Sequence, residues 1–113
     1  MQVPDRGDFI FLDFDPQTGT EQSGRRPAIV LSPEKFNRVT GYVTVCPISG
    51  TKREWGFNID IPNGFAISGV IIGDQVKNLD WRTRKAEIKG KAPSDLINKV
   101  VQVIHTYLYE EYE

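Results

Sequence analysis

The chain has 113 residues, 39% of them apolar and 26% charged. That suits one domain with one hydrophobic core and is ordinary for a soluble globular protein. No apolar run approaches the ~20 residues that span a bilayer. Asp5 and Asp8 interrupt the amino terminus, which excludes a secretory leader pattern, so a cytoplasmic location is expected. Cys46 stands alone, which excludes an internal disulfide and fits a reducing compartment. The net charge of −1 does not advertise nucleic-acid binding, but its distribution is uneven. Residues 1–24 hold one basic and five acidic residues, residues 25–91 twelve basic and six acidic, and residues 92–113 one basic and four acidic. A basic middle between acidic ends permits a local positive groove.

Phe9 to Phe14 is rich in aromatic and branched residues and predicts a strand. Asp13 and Asp15 lie two apart, which reads as a metal pair or, more simply, as turn initiation before Pro16. Residues 16–25 form a loop too long for a tight hairpin. Ala28 to Leu31, between Pro27 and Pro33, predicts a short buried strand. Glu34 to Gly41 holds a brief helical turn. Tyr42 to Ile48 alternates as a strand and is expected to end at Pro47. It contains Cys46, expected as a buried, inert thiol. Ser49 to Gly56 is a second polar loop. Phe57 to Ile61 sets Phe57, Ile59 and Ile61 against Asn58 and Asp60, the clearest half-buried strand in the chain. Pro62-Asn63-Gly64 is a turn. Ile67 to Ile72, Val76 to Leu79 and Ala86 to Ile88 are further strand candidates.

From Pro93 the period changes. Leu96, Ile97, Val100, Val101, Ile104 and Leu108 recur at three- and four-residue steps, which predicts an amphipathic helix from Pro93-Ser94 to about Tyr109. Short strands followed by one carboxy-terminal helix predict a mainly β fold: a small, strongly bent antiparallel sheet or barrel over residues 1–113.

The stretch Thr20-Glu21-Gln22-Ser23-Gly24-Arg25-Arg26-Pro27 carries more chemistry than a chain reversal needs. Arg25 and Arg26 offer guanidinium forks that match a phosphate, and Glu21 is the nearest candidate for moving a proton. The plain alternative is a solvated surface turn. Other chemistries lack their parts. His105 is the only histidine and sits among helical apolar residues, as a core-edge or dimer-contact residue. No Cys/His set has zinc spacing, no Gly-rich phosphate loop opens a helix, and Ser23 has no nearby activating base.

The run Gly7-Asp8-Phe9-Ile10-Phe11-Leu12-Asp13-Phe14-Asp15-Pro16, followed by Gly19-Thr20-Glu21-Gln22-Ser23-Gly24-Arg25-Arg26-Pro27-Ala28-Ile29-Val30-Leu31-Ser32-Pro33, resembles the amino-terminal signature of the MazF/PemK toxins. Cys46-Pro47-Ile48-Ser49 resembles that family's strand-end Pro-x-Thr/Ser, and Gly73-Asp74-Gln75-Val76-Lys77 its Asp-Gln-Val-Lys element. The resemblance runs from about Val3 to Leu108. Thr20 and Ile72 stand where the PemK/Kid branch has a histidine and an arginine, so the chain looks like the MazF branch.

The resemblance implies an SH3-like barrel of the MazF/PemK/CcdB type closed by a terminal helix, usually a two-fold homodimer. It implies a sequence-specific, metal-independent endoribonuclease that cleaves single-stranded RNA by attack of the 2′-hydroxyl, leaving 2′,3′-cyclic phosphate and 5′-hydroxyl ends. DNA, which lacks that hydroxyl, is not a substrate for such chemistry. Glu21 is then the base, Arg26 the charge stabiliser and Ser49 a phosphate hydrogen-bonder. Asp74 reads as a catalytic acid or as the cap of its turn. Thr20, Gln22, Arg25, Arg53, Trp55, Asp74, Gln75, Lys77 and Arg82 are candidate RNA-binding residues, with packing and solvation as the plain readings of Trp55, Trp81 and the basic side chains. The implied partner is a cognate antitoxin whose acidic, disordered tail folds over the basic groove. No cofactor and no membrane is implied. The alternatives are a non-catalytic toxin of the gyrase-poisoning CcdB type on the same fold and an RNA-binding homologue whose activity has lapsed.

Overall fold

The computed structural model describes residues 1–14, 24–54 and 56–109. Thr20, Glu21, Gln22 and Trp55, and Asp15 of the expected turn, lie outside the described residues. The elements run β1 (Asp8–Asp13), β2 (Arg25–Val30), α1 (Glu34–Thr40), β3 (Tyr42–Ser49), β4 (Asn58–Asp60), β5 (Val70–Ile72), β6 (Lys77–Asp80), β7 (Glu87–Lys91) and α2 (Ser94–Tyr109).

Each strand predicted from sequence is present, with its ends moved by tertiary context. β2 starts at Arg25 and runs through Pro27, because at that point it pairs only with β1; pairing with β3 begins at Ala28. A strand tolerates proline where one side carries no partner. β3 likewise continues through Pro47 to Ser49. On that edge β6 pairs only as far as Val45 and β5 only from Ile48, so Pro47 falls in the gap between them. The expected strand Ile67–Ile72 shortens to Val70–Ile72. At its entry Gly69 adopts φ +127° and lies so close to β3 that a Cβ there would meet Ser49 O at 2.4 Å.

All the pairings are antiparallel, in the order β4-β5-β3-β2-β1-β7, with β6 also on β3. The sheet is not closed: among the described residues no pairing joins β7 to β4 or β6. The barrel that the resemblance implied is therefore an open, bent sheet.

The sheet carries a core on each face, because side chains alternate along a strand. Phe9, Ile29, Cys46, Ile48, Ile59 and Ile71 pack against Leu96, Ile97 and Val100 of α2. Ile10, Leu12, Ala28, Val30, Val43, Val45, Leu79 and Trp81 fill the other face. α2 buries one stripe and leaves the rest in solvent: Val101 and Leu108 of the predicted apolar stripe are 38% and 65% exposed. Val101 lies one residue, about 100° of helix, beyond Val100, and in the final turn Tyr107, not Leu108, faces the sheet, donating to Gly73 O at 2.8 Å. His105 is exposed and stacks on Tyr109, ring centroids 4.5 Å apart, rather than lying at the core edge. No described helix is long and apolar enough to cross a membrane.

Candidate active site

Strand alternation and register together build one basic cavity. Cross-strand partners share a face. Leu12 opposes Arg26, Ala28 opposes Pro47, Val45 opposes Lys77 and Ser49 opposes Val70. Leu12, Ala28 and Val45 belong to the core remote from α2. Arg26, Pro47, Ser49 and Lys77 therefore continue that face beyond the end of the apolar core. There they line a cavity of about 520 Å³ with Phe14, Ile48, Arg53, Ile72 and Gln75. The ionisable side chains among these lining residues are all cationic: Arg26, Arg53 and Lys77. Arg53 is paired with Asp74, so the field that the low-dielectric walls concentrate on an incoming anion is chiefly that of Arg26 and Lys77. Lys77 Nζ stands 5.9 Å from the centre of the Phe14 ring, a cation–π distance that keeps the ammonium over the cavity.

Ser49 Oγ donates to Thr51 O and accepts from Thr51 N–H, both at 3.0 Å. The hydroxyl is thereby oriented at the strand end. Arg53 Nη2 donates to Asp74 Oδ1. Asp74 is an ion-pair partner beside the cavity and does not line it.

Arg25 does not join Arg26. It lies on the opposite face of β2, where Nη1 meets Asp13 at 3.3 Å and Nη2 meets Lys85 O at 2.8 Å and Glu87 at 3.4 Å. The paired-guanidinium phosphate clamp read from sequence is thus divided by the strand's period of two. Arg82 also stands apart. It follows β6 and stacks over Trp81, 4.8 Å from the ring centre, outside the cavity lining. Trp81 is buried and donates Nε1–H to Asn37 O at 2.8 Å, which is the packed reading of that residue.

The stems of segment 15–23 meet at the cavity. Phe14 N–H donates to Gly24 O at 2.9 Å, and Phe14 is a lining residue. Arg84 ties the same corner by donating from Nη1 to Asp13 O at 3.1 Å and Phe14 O at 2.6 Å. Sequence reasoning missed Phe14, Ile72 and Arg84 as site residues. The signal for Phe14 was present, since Ile10, Leu12 and Phe14 share one strand face; Arg84 acts across the fold and left none.

Cys46 is buried, and burial pushes its thiol up to about 12, with the Asp74 charge adding to the rise. It is protonated and inert at neutral pH. Among the described residues no group of three or more His, Cys, Asp or Glu side chains forms a metal-binding cluster.

Residues 5–108 match the model of the PemK-like, MazF-like toxins of type II toxin–antitoxin systems. The chain is 44% identical over 95 residues to the endoribonuclease toxin MazF of Escherichia coli K12, covering 83% of this chain and 85% of that protein. Its fold matches the crystal structure of MazF from Deinococcus radiodurans with a TM-score of 0.86 and 40% identity, over 97% of this chain and all of that one. It matches the MazE–MazF structure from the same organism with a TM-score of 0.85 and 35% identity, over 98% of this chain and 100% of that chain. The chain belongs to the PemK-like, MazF-like toxin family of type II toxin–antitoxin systems.

Proposed function

We infer that this chain is an endoribonuclease toxin that cuts single-stranded RNA through the RNA's own 2′-hydroxyl. The observation that carries the reading is the meeting of Arg26, Ser49 and Lys77 in one basic cavity whose rim holds both stems of segment 15–23. The E. coli relative is named an endoribonuclease toxin, and Arg26, Ser49, Gln75 and Lys77, from the stretches that carry the resemblance, line this cavity.

The chemistry needs a base, a cation and a leaving-group donor. Glu21 lies three residues before Gly24, within about 10 Å of it along an extended chain, and so has the reach to take the 2′-hydroxyl proton. The Arg26 guanidinium stabilises the charge that grows on the phosphoryl oxygens. Ser49 exchanges its Thr51 O acceptor for a phosphoryl oxygen. The 2′ oxygen bonds to phosphorus as the bond to the 5′ oxygen breaks, and the departing 5′ oxygen takes a proton from solvent water, giving a 2′,3′-cyclic phosphate and a 5′-hydroxyl. Nucleophile, base and cation are then all supplied by RNA and side chains, with no part assigned to a metal. Gln75, Lys77 and Arg53 line the path of the flanking nucleotides, with Thr20, Gln22 and Trp55 as further contacts.

The proposed partners follow from the same charge pattern. One is an antitoxin with an acidic tail that folds over the basic cavity, in keeping with the MazE–MazF assembly of the Deinococcus relative. The other is a second copy of the chain. The reading places the protein in the cytoplasm, with its RNA. Incubation of the purified chain in EDTA with a long mixed-sequence RNA and a matching DNA tests the function. The expected result is cutting of RNA alone at one short motif, with cyclic 3′ ends. Intact RNA from folded protein, or equal cutting of DNA, overturns the reading.

A further inference from the structure

Arg53 lines the cavity, whereas its partner Asp74 does not. The two form an ion pair with side chains 33% and 27% exposed. The surrounding chain is built around this pair. Gly56 passes over it at φ +109°, and a Cβ there would come within 2.9 Å of Arg53 Nη2, 3.3 Å of Cζ and 3.6 Å of Asp74 Oδ2. Asn58 Nδ2 donates to Arg53 O at 2.9 Å. On the other side, Gly73 N–H donates to Phe57 O at 2.8 Å and Gly73 O accepts from the Tyr107 hydroxyl at 2.8 Å. Both ends of the pair thus hang on fixed backbone.

The pairing bears on what Arg53 recognises. An arginine that serves as a phosphate magnet gains nothing from an adjacent carboxylate, because the carboxylate cancels most of its field. An arginine that reads a base gains a fixed guanidinium plane, since bidentate recognition depends on direction. Guanidinium offers donors only, so it matches a base edge with two neighbouring acceptors. In single-stranded RNA the Watson–Crick and Hoogsteen edges are both open. Guanine supplies such an edge at O6 and N7, and cytosine at N3 and O2. Adenine places an amino donor beside its acceptors, and uracil separates its carbonyls with an N–H.

We propose that Arg53 reads a base next to the scissile phosphate, guanine or cytosine, and that Asp74 is a positioning residue that fixes the Arg53 plane. The proposal rests on the endoribonuclease reading above.

The test is sequencing of the cut sites made in a mixed-sequence RNA by the full chain and by Arg53→Lys, Arg53→Ala, Asp74→Asn and the double variant Arg53→Ala/Asp74→Asn, each checked for folding by thermal melting. In the wild type, guanine or cytosine is expected at one fixed position of the motif. Preference at that position is expected to fall about tenfold or more in each single variant, on the scale that a bidentate arginine–base pair supplies. Arg53→Lys keeps the charge and still relaxes the motif. The double variant matches Arg53→Ala, because Asp74 acts through Arg53. An unchanged motif in folded Arg53 variants, a fixed adenine or uracil at every position, or a further change on adding Asp74→Asn to Arg53→Ala overturns the proposal while leaving the nuclease reading intact. A wild type that cuts no RNA overturns both.

Discussion

Arg25 and Arg26 are adjacent in the chain and face opposite sides of one strand. Arg26 opposes Leu12 and lines the basic cavity. Arg25 opposes Asp13 and is held by that carboxylate, by Glu87 and by Lys85 O. Neighbouring residues of one type therefore have separable consequences. Arg26→Ala is expected to lower kcat/KM by about 10²–10³, the range for loss of one transition-state charge stabiliser, with little change in Tm. Arg25→Ala is expected to do the reverse, costing about 1 kcal/mol of stability, as partly exposed ion pairs do, while cutting persists. Cleavage assays beside thermal melts check both. Equal loss of activity in the two variants contradicts the division of the faces.

This separation shows where the sequence was legible. Period two was readable for β1, and period 3.6 for α2, because each runs long enough to repeat. Glu34 to Gly41 was readable from its polar content and terminal glycine. The division of Arg25 from Arg26 needed only the knowledge that β2 starts at Arg25, and Pro27 hid that start. The cavity was harder to see. Arg26, Ser49 and Lys77 meet through the registers of β2, β3 and β6, and register depends on turns and partners remote in sequence. The family resemblance supplied the residue types, and the fold supplied their grouping. Sheet closure was not legible at all, since whether β7 reaches β4 or β6 depends on accumulated twist.

Glu21→Gln tests the proposed base. The substitution keeps shape and removes proton affinity. Cutting is expected to fall by about 10²–10⁴, the usual contribution of a positioned base. The pH profile is more telling than the rate. A general base gives kcat/KM an acidic limb that rises with pH; such a limb is expected in the wild type and is expected to vanish in Glu21→Gln. A mutant that retains the limb assigns the base elsewhere.

Cys46 predicts a loss of stability in alkali. Its ordinary pKa near 9 rises to about 12 on folding because burial disfavours the thiolate. Between these values the unfolded chain has lost the thiol proton and the folded chain retains it, so unfolding releases a proton. Stability from this group is complete below pH 9 and falls as pH rises towards 12, at up to about 1.4 kcal/mol per pH unit. Cys46→Ala removes this slope, and denaturant melts of both proteins at pH 8 and pH 10.5 measure the difference. In the native protein at pH 8 the thiol is expected to resist alkylation by iodoacetamide until denaturant is added.

Asn37 predicts the largest single polar effect on folding. It is fully buried in α1. Its Nδ2 donates to Pro4 O at 2.8 Å and Ser32 O at 2.9 Å, its Oδ1 accepts from Ser32 Oγ, and its carbonyl accepts from Trp81 Nε1. One side chain thus joins the amino-terminal segment, the β2–α1 link and α1 itself. Asn37→Ala strands several buried partners, each costing about 1–3 kcal/mol when unmet. A loss of about 3 kcal/mol or more is expected, with a fall in Tm on the order of 10 °C for a chain of this size. Trp81→Phe removes the Nε1 donor to the Asn37 carbonyl and also empties part of the buried space that the indole fills, so it is expected to cost about 2–4 kcal/mol. Neither residue lines the cavity, so both variants are expected to cut RNA at the wild-type rate well below their melting temperatures. Urea unfolding and cleavage assays on the same samples measure the two quantities together. A stable Asn37→Ala protein contradicts the role of this network in holding α1 to the sheet.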